Sequence, residues 1–241
     1  MLKTTNLLAL VAVALTATSC ALFRPSAVHE NYDPAERLET CLQAWEVARA
    51  AETGAMDADE ARSEIRGLMG LALSSEEIRF RIMRIAFDYP DDIRVLMANA
   101  AVAYDAGDMP SAQQYADRVL KAEPAYPAAA ILRSRIALRE GNLPYAKKLL
   151  EDQIKLSPDH GEMRSAYAGL LFLGKDYDAA REALADARRL GAEEWRIAYN
   201  RGLVEEAAGN FDEARRQFSI TLELNPDYRP AMGRLAALRG R

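Results

Sequence analysis

Residues 195–228, WRIAYNRGLVEEAAGNFDEARRQFSITLELNPDY, decide the fold. Two runs with apolar residues at helical spacing flank Gly209-Asn210, and the second run stops at Asn225-Pro226. Glycine followed by asparagine is a turn signal, and proline cannot continue a helix because it lacks the N–H and clashes with the preceding turn. The stretch therefore predicts a hairpin of two helices. Proline recurs upstream: Pro90, Pro124 and Pro158 stand 34 residues apart, and Pro226 lies two further intervals on. The hairpin is one unit of a repeat.

The columns of that repeat carry the packing. Ala112, Ala146, Ala180 and Ala214 fall early in every second helix, where a small side chain lets the partner helix approach. Ala100, Ser134, Ala168 and Gly202 answer them in the first helices. The turns read Gly107-Asp108, Gly141-Asn142, Lys175-Asp176 and Gly209-Asn210, a left-handed position followed by a helix cap, with Lys175 the one departure. Pro110 and Pro144 sit just inside second helices, where the missing N–H costs nothing.

With this period and these columns, the sequence resembles the tetratricopeptide repeat (TPR) family over repeats 93–126, 127–160, 161–194 and 195–228. The resemblance implies an all-α, right-handed superhelix, an α-solenoid of antiparallel helix pairs. Its concave groove, lined by one face of each first helix, would bind a protein or peptide. The residues at those places are Arg94, Met97, Ala101 and Tyr104, then Ala128, Ile131, Arg135 and Leu138. The later repeats supply Glu162, Ser165, Gly169 and Phe172, and Arg196, Tyr199, Leu203 and Glu206. Arginines there can fork onto carboxylates, and the aromatic rings offer flat anchoring area. The asparagine–lysine clamp of chaperone-binding TPRs is absent, since the corresponding column reads Ala101, Arg135, Gly169 and Leu203. Two departures bear on the helices. Ala192 replaces a junction proline, so the helix ends there can run longer or bend, and a normally apolar column holds Asn99, Arg133, Tyr167 and Arg201, which must snorkel or pair with acids.

Before the repeats, residues 1–19 carry one cation, Lys3, then the uncharged run from Leu7 to Ala17, then Thr18-Ser19 ahead of Cys20. That layout is a secretory signal rather than a spanning helix, which needs ~20 apolar residues. It resembles the bacterial lipoprotein signal, which implies a lipid on Cys20; ordinary cleavage after Ala21 is the alternative. Alanine rather than aspartate at position 21 implies the outer membrane, with the protein facing the periplasm. Residues 20–33 read as a lipidated tether, 34–92 as N-terminal helices forming a degenerate repeat, and 229–241 as a C-terminal capping helix. In the degenerate region the expected helices are Pro34–Ala51, Asp57–Leu73 and Ser75–Asp88, the last two forming the pair. TPR lipoproteins of similar layout include pilotins, tight-adherence pilus lipoproteins and adaptors of cell-wall hydrolases.

Catalytic motifs are missing: there is no HExxH, GxxxxGK[ST] or GxSxG, and no pair of CxxC units. His29 and His160 have no second ligand type at helical spacing, so neither metal nor cofactor is expected. Acidic residues cluster in first helical turns, where they complement the helix dipole. With 31 basic and 36 acidic residues the formal charge is −5, which disfavours nucleic acid. Cys41 lies on the stripe of Leu38 and Trp45 and reads as a buried thiol. The expected protein is a non-catalytic interaction scaffold. The alternatives are an adaptor for cell-wall enzymes, or a structural homo-oligomer pairing through Trp45, Leu68 and Phe80.

Overall fold

The computed structural model describes residues 33–238, so the signal, Cys20, the tether through residue 32 and residues 239–241 lie outside the described residues. Twelve helices make up the described part: α1 (Pro34–Glu52), α2 (Ala58–Met69), α3 (Ser75–Asp88), α4 (Ile93–Asp105), α5 (Met109–Ala122), α6 (Pro127–Arg139), α7 (Leu143–Leu156), α8 (Gly161–Leu173), α9 (Tyr177–Arg189), α10 (Glu194–Ala207), α11 (Phe211–Leu224) and α12 (Arg229–Leu238). No strand occurs among the described residues. The chain divides after Pro124 into two compact units.

In the N-terminal unit, α1 is the centre. Its stripe of Leu38, Cys41, Leu42, Trp45 and Ala48 is buried against α2, α3 and α4. Asp33 caps α1 by accepting from the Ala35 N–H, and it pairs with Arg94 on α4 at 2.9 Å, so the last tether residue belongs to the fold. The expected pairing of the second and third helices is corrected: α1 packs with α2, and α3 is seated on α1 and α4. Gly70 takes φ 73 and ends α2 at Met69, short of Leu73. Beyond it, Ser74 rather than Ser75 caps α3, through a capping box with Glu77. Ile78, Ile82 and Ile85 then face inward. The α4–α5 hairpin completes this unit, with Ala100 and Ala112 both fully buried.

In the C-terminal unit three hairpins follow, α6–α7, α8–α9 and α10–α11, with α12 packed on α11. The small-residue columns lie where the helices touch: Ala146, Ala180 and Ala214 are fully buried, as are Ser134, Ala168 and Gly202 within a few per cent. Gly202 cannot be larger, because a Cβ built there would meet the Phe218 ring at 2.5 Å. The junction at Ala192 does not lengthen its helix. Gly191, at φ 79, turns the chain, the Ala192 N–H reaches back to the Ala187 carbonyl at 3.0 Å, and α9 stops at Arg189.

The polar column is partnered differently in each repeat. Asn99 donates to the Val95 and Ile82 carbonyls at 2.9 and 3.3 Å, and the Arg133 guanidinium lies 5.0 Å over the Tyr145 ring. The Tyr167 hydroxyl donates to Glu151 at 2.8 Å, and Arg201 lies 4.0 Å from Glu213. Asn99 and Tyr167 are thus hydrogen-bonded, as buried polar groups usually are, whereas one guanidinium nitrogen each of Arg133 and Arg201 is buried without a hydrogen bond among the described residues and is met by a ring or a more distant carboxylate.

Candidate functional site

First helices of successive repeats are neighbours within the C-terminal unit, α6 beside α8 and α8 beside α10. They form a face in which repeat-equivalent positions line up. Leu138, Phe172 and Glu206 make one row, Arg135, Gly169 and Leu203 the next, and Ile131, Ser165 and Tyr199 a third. Most of these side chains are half-buried. At Gly169 the face is open, because a Cβ placed there meets no atom within 4 Å.

The expected lining sorts into three groups. Met97 and Ile131 are only 1% and 2% exposed, so their expected lining role is corrected: both are packing residues with no side-chain surface to offer. Arg94 and Arg196 are half-buried but already engaged. Arg94 holds Asp92 at 2.7 Å and Asp33 at 2.9 Å; its hydrogen bonds to both keep its guanidinium more firmly protonated than usual. Arg196 holds Glu193 at 2.9 Å and Glu162 at 3.4 Å, and lies over the Trp195 ring at 5.3 Å. Tyr104, Arg135, Leu138, Phe172, Tyr199 and Leu203 are half-buried, as are Ala128, Glu162, Gly169 and Glu206, whereas Ala101 and Ser165 are buried. Arg94, Met97 and Tyr104 belong to the N-terminal unit and the other lining residues to the C-terminal unit.

Cross-repeat polar ties run along this face. Glu162 accepts from the Glu193 N–H at 3.1 Å as well as from Arg196, and Asn200 donates to the Ser165 hydroxyl at 3.4 Å. An aromatic group at its end was not anticipated. Trp195 and Tyr199 each lie 4.9 Å from Tyr228, Tyr199 edge-on, and Tyr199 also packs on Phe218 at 5.7 Å. Tyr199 is thus partly engaged in packing. The signal for this group was Tyr228 at the repeat end beside the Trp195 that opens the same repeat.

The titratable groups outside the face serve structure. Glu205 is buried and takes a two-pronged bond from Arg181 at 2.8 and 2.9 Å; Arg181 and Asn210 hold its carboxyl below the usual range. Asn210, expected to cap α11, donates to Glu205 at 2.8 Å instead. Cys41 is buried, which pushes its thiol pKa up. No group of three or more His, Cys, Asp or Glu that could hold a metal occurs among the described residues. Among them, too, no helix is long and apolar enough to cross a membrane.

Stacked antiparallel helix pairs joined by small-residue contacts, with first helices aligned on one face, define an all-α solenoid scaffold. The chain belongs to the tetratricopeptide repeat family, whose model matches residues 97–146, 137–194, 169–229 and 199–240, more than half of the 241 residues. It is a fold of interaction scaffolds and not of catalysts. Among solved structures, the chain is similar to TTC0263, a thermophilic TPR protein of Thermus thermophilus. That match has 19% identity and a TM-score of 0.62, and covers 68% of this chain and 89% of that one. It is also similar to MamA residues 41 to the end from Desulfovibrio magneticus RS-1. There the identity is 17% and the TM-score 0.51, over 79% of this chain and 97% of that one. No curated protein matches the sequence significantly.

Proposed function

We propose that the protein is a non-catalytic scaffold that holds a protein or peptide against the face of α6, α8 and α10. The observation that carries this reading is the half-buried apolar and aromatic set Leu138, Phe172, Tyr199 and Leu203 beside the open position at Gly169. Half-buried aromatic side chains such as Tyr199 are among those enriched at binding hot spots. The arginines contribute less than their number suggests. A ligand carboxylate reaching Arg196 must displace Glu162 or Glu193, which already neutralise it. Apolar contact therefore dominates recognition, and affinity is expected to change less than about threefold between ~0.1 and ~0.5 M salt, since screening acts on exposed charges.

Photoreactive residues at Phe172 and Leu203, compared with one at Arg216 on a second helix, test the face in cells. Capture of a common partner from the first two and not from Arg216 is expected; equal capture from all three would remove the assignment. Gly169→Phe places a ring in the open space of this face and is expected to abolish that capture while leaving helix content unchanged.

The scaffold is further proposed to be an envelope lipoprotein. Lipid on Cys20 would tether it to the outer membrane facing the periplasm, in the service of envelope, pilus or secretion-system assembly. Support comes from the order of Lys3, the apolar run and Thr18-Ser19-Cys20.

A further inference from the structure

Helix α3 is apolar on two opposite sides. Ile78, Ile82 and Ile85 are buried against α1 and α4. On the side turned away from them, Phe80 is 62% exposed, Met83 44% and Phe87 86%. Spacings of three and four residues align these side chains along one face. A single exposed apolar residue is ordinary, but two phenylalanines and a methionine in line on the outer side of one helix mark an interaction surface. Glu76 and Glu77 lie in the first turn of the helix, Arg79, Arg81 and Arg84 follow, and Asp88 ends it. Glu77 is occupied by the Ser74 cap. Glu76 and Arg84 are exposed and form no ion pair among the described residues.

We propose that this face binds a second copy of the chain, α3 against α3 and antiparallel, with Phe80 stacked on its counterpart. In that register, residues equally far before and after Phe80 lie level across the interface. Glu76 of each copy then meets Arg84 of the other. A parallel arrangement would set Glu76 against Glu76 and Arg84 against Arg84. Antiparallel docking also opposes the two helix dipoles. The same charges argue against an anionic membrane surface as occupant, because the acidic and basic groups on this helix offset each other and a polybasic cluster is missing. Of the three residues expected to pair copies, Trp45 is withdrawn, being 2% exposed, Leu68 is half-buried on α2 and outside this face, and Phe80 is retained beside Met83 and Phe87. The surface is distinct from the face of α6, α8 and α10, so either reading can fail without the other. One helix pair is a small interface, so association is expected on the order of micromolar concentrations.

Sedimentation velocity of the full chain carrying Cys20→Ser, so that no acyl group contributes, tests the proposal over a range of concentrations. A monomer–dimer equilibrium is expected. Glu76→Arg or Arg84→Glu alone should weaken it by about tenfold or more, and the two together should restore it, because the swap re-forms both pairs. As a second readout, Phe80→Cys should give a disulfide-linked dimer on oxidation, whereas Arg62→Cys on α2 should not. A chain that stays monomeric throughout, a dimer indifferent to Phe80→Glu, or a double swap that restores nothing would overturn the proposal. So would binding of the monomer to phosphatidylglycerol vesicles that Phe80→Glu abolishes, which would give the face to the membrane.

Discussion

Lys175 shows how far one residue can be argued from sequence. The repeat turn needs a left-handed residue, which Gly107, Gly141 and Gly209 supply at φ 81, 76 and 84. Lys175 takes φ 62 in the third repeat, the one non-glycine residue at positive φ among those described. Its Cβ crowds the following carbonyl oxygen there, a cost of about 1 kcal/mol that glycine escapes. Lys175→Gly is therefore expected to raise stability by up to ~1 kcal/mol in a urea melt, and a lower midpoint would show that the lysine makes a compensating contact. His160 carries a pH dependence. It caps α8 by accepting the Met163 N–H on Nδ1 at 3.2 Å, and burial lowers its pKa. The folded ring stays neutral while the unfolded chain takes up a proton below about pH 6.5, so stability is full above that value and declines as pH falls through it. His160→Asn keeps a capping oxygen without a proton to bind, and should flatten the fall in melting temperature between pH 7.5 and 5. An unchanged slope would assign the fall to other groups. The turn was readable from residue identity because backbone handedness is local. The ties of Arg196 were not, because Glu162 is set beside it by the preceding repeat.

At the scale of helices, the alanine column was the most legible feature, since helix approach depends on side-chain size and little else. Ala180 sits in a cluster with Ala168, Leu171, Leu184, Ile197 and Val204. Ala180→Arg would overpack that contact and bury a charge, and should destabilise the protein by several kcal/mol, roughly 3 or more, in a denaturant melt. An unchanged midpoint would contradict the register. The N-terminal helices were located from their periodicity, yet their pairing was misread. Periodicity gives a helix its buried face but not the neighbour that covers it, and α1 rather than α3 covers α2. The same limit explains Met97 and Ile131. Repeat register places them on the expected side, while the extent of their burial depends on flanking helices that the register does not contain.

For the whole molecule, the proposal sets a repeat body of mild negative charge on a lipid tether. The two parts make separate demands on the sequence. The body needs only its columns, which the helices α4 to α11 supply; the tether needs only a cysteine at the end of a signal. Asp33, where the described structure begins, caps α1 and pairs with Arg94, so the folded body starts within fourteen residues of Cys20. Acyl chains hold by burying CH₂ groups at ~0.8 kcal/mol each, so one myristoyl-length chain binds reversibly and several bind firmly. Cys20→Ser removes the attachment atom while leaving the body untouched. Cells supplied with a radiolabelled fatty acid should label the parent chain and not the Cys20→Ser chain. Fractionation should find the parent in the outer membrane and the variant, if still exported, in the soluble fraction. Label retained on Cys20→Ser, or a distribution that the substitution does not change, would rule out the lipid anchor and leave cleavage after Ala21 as the reading of the signal.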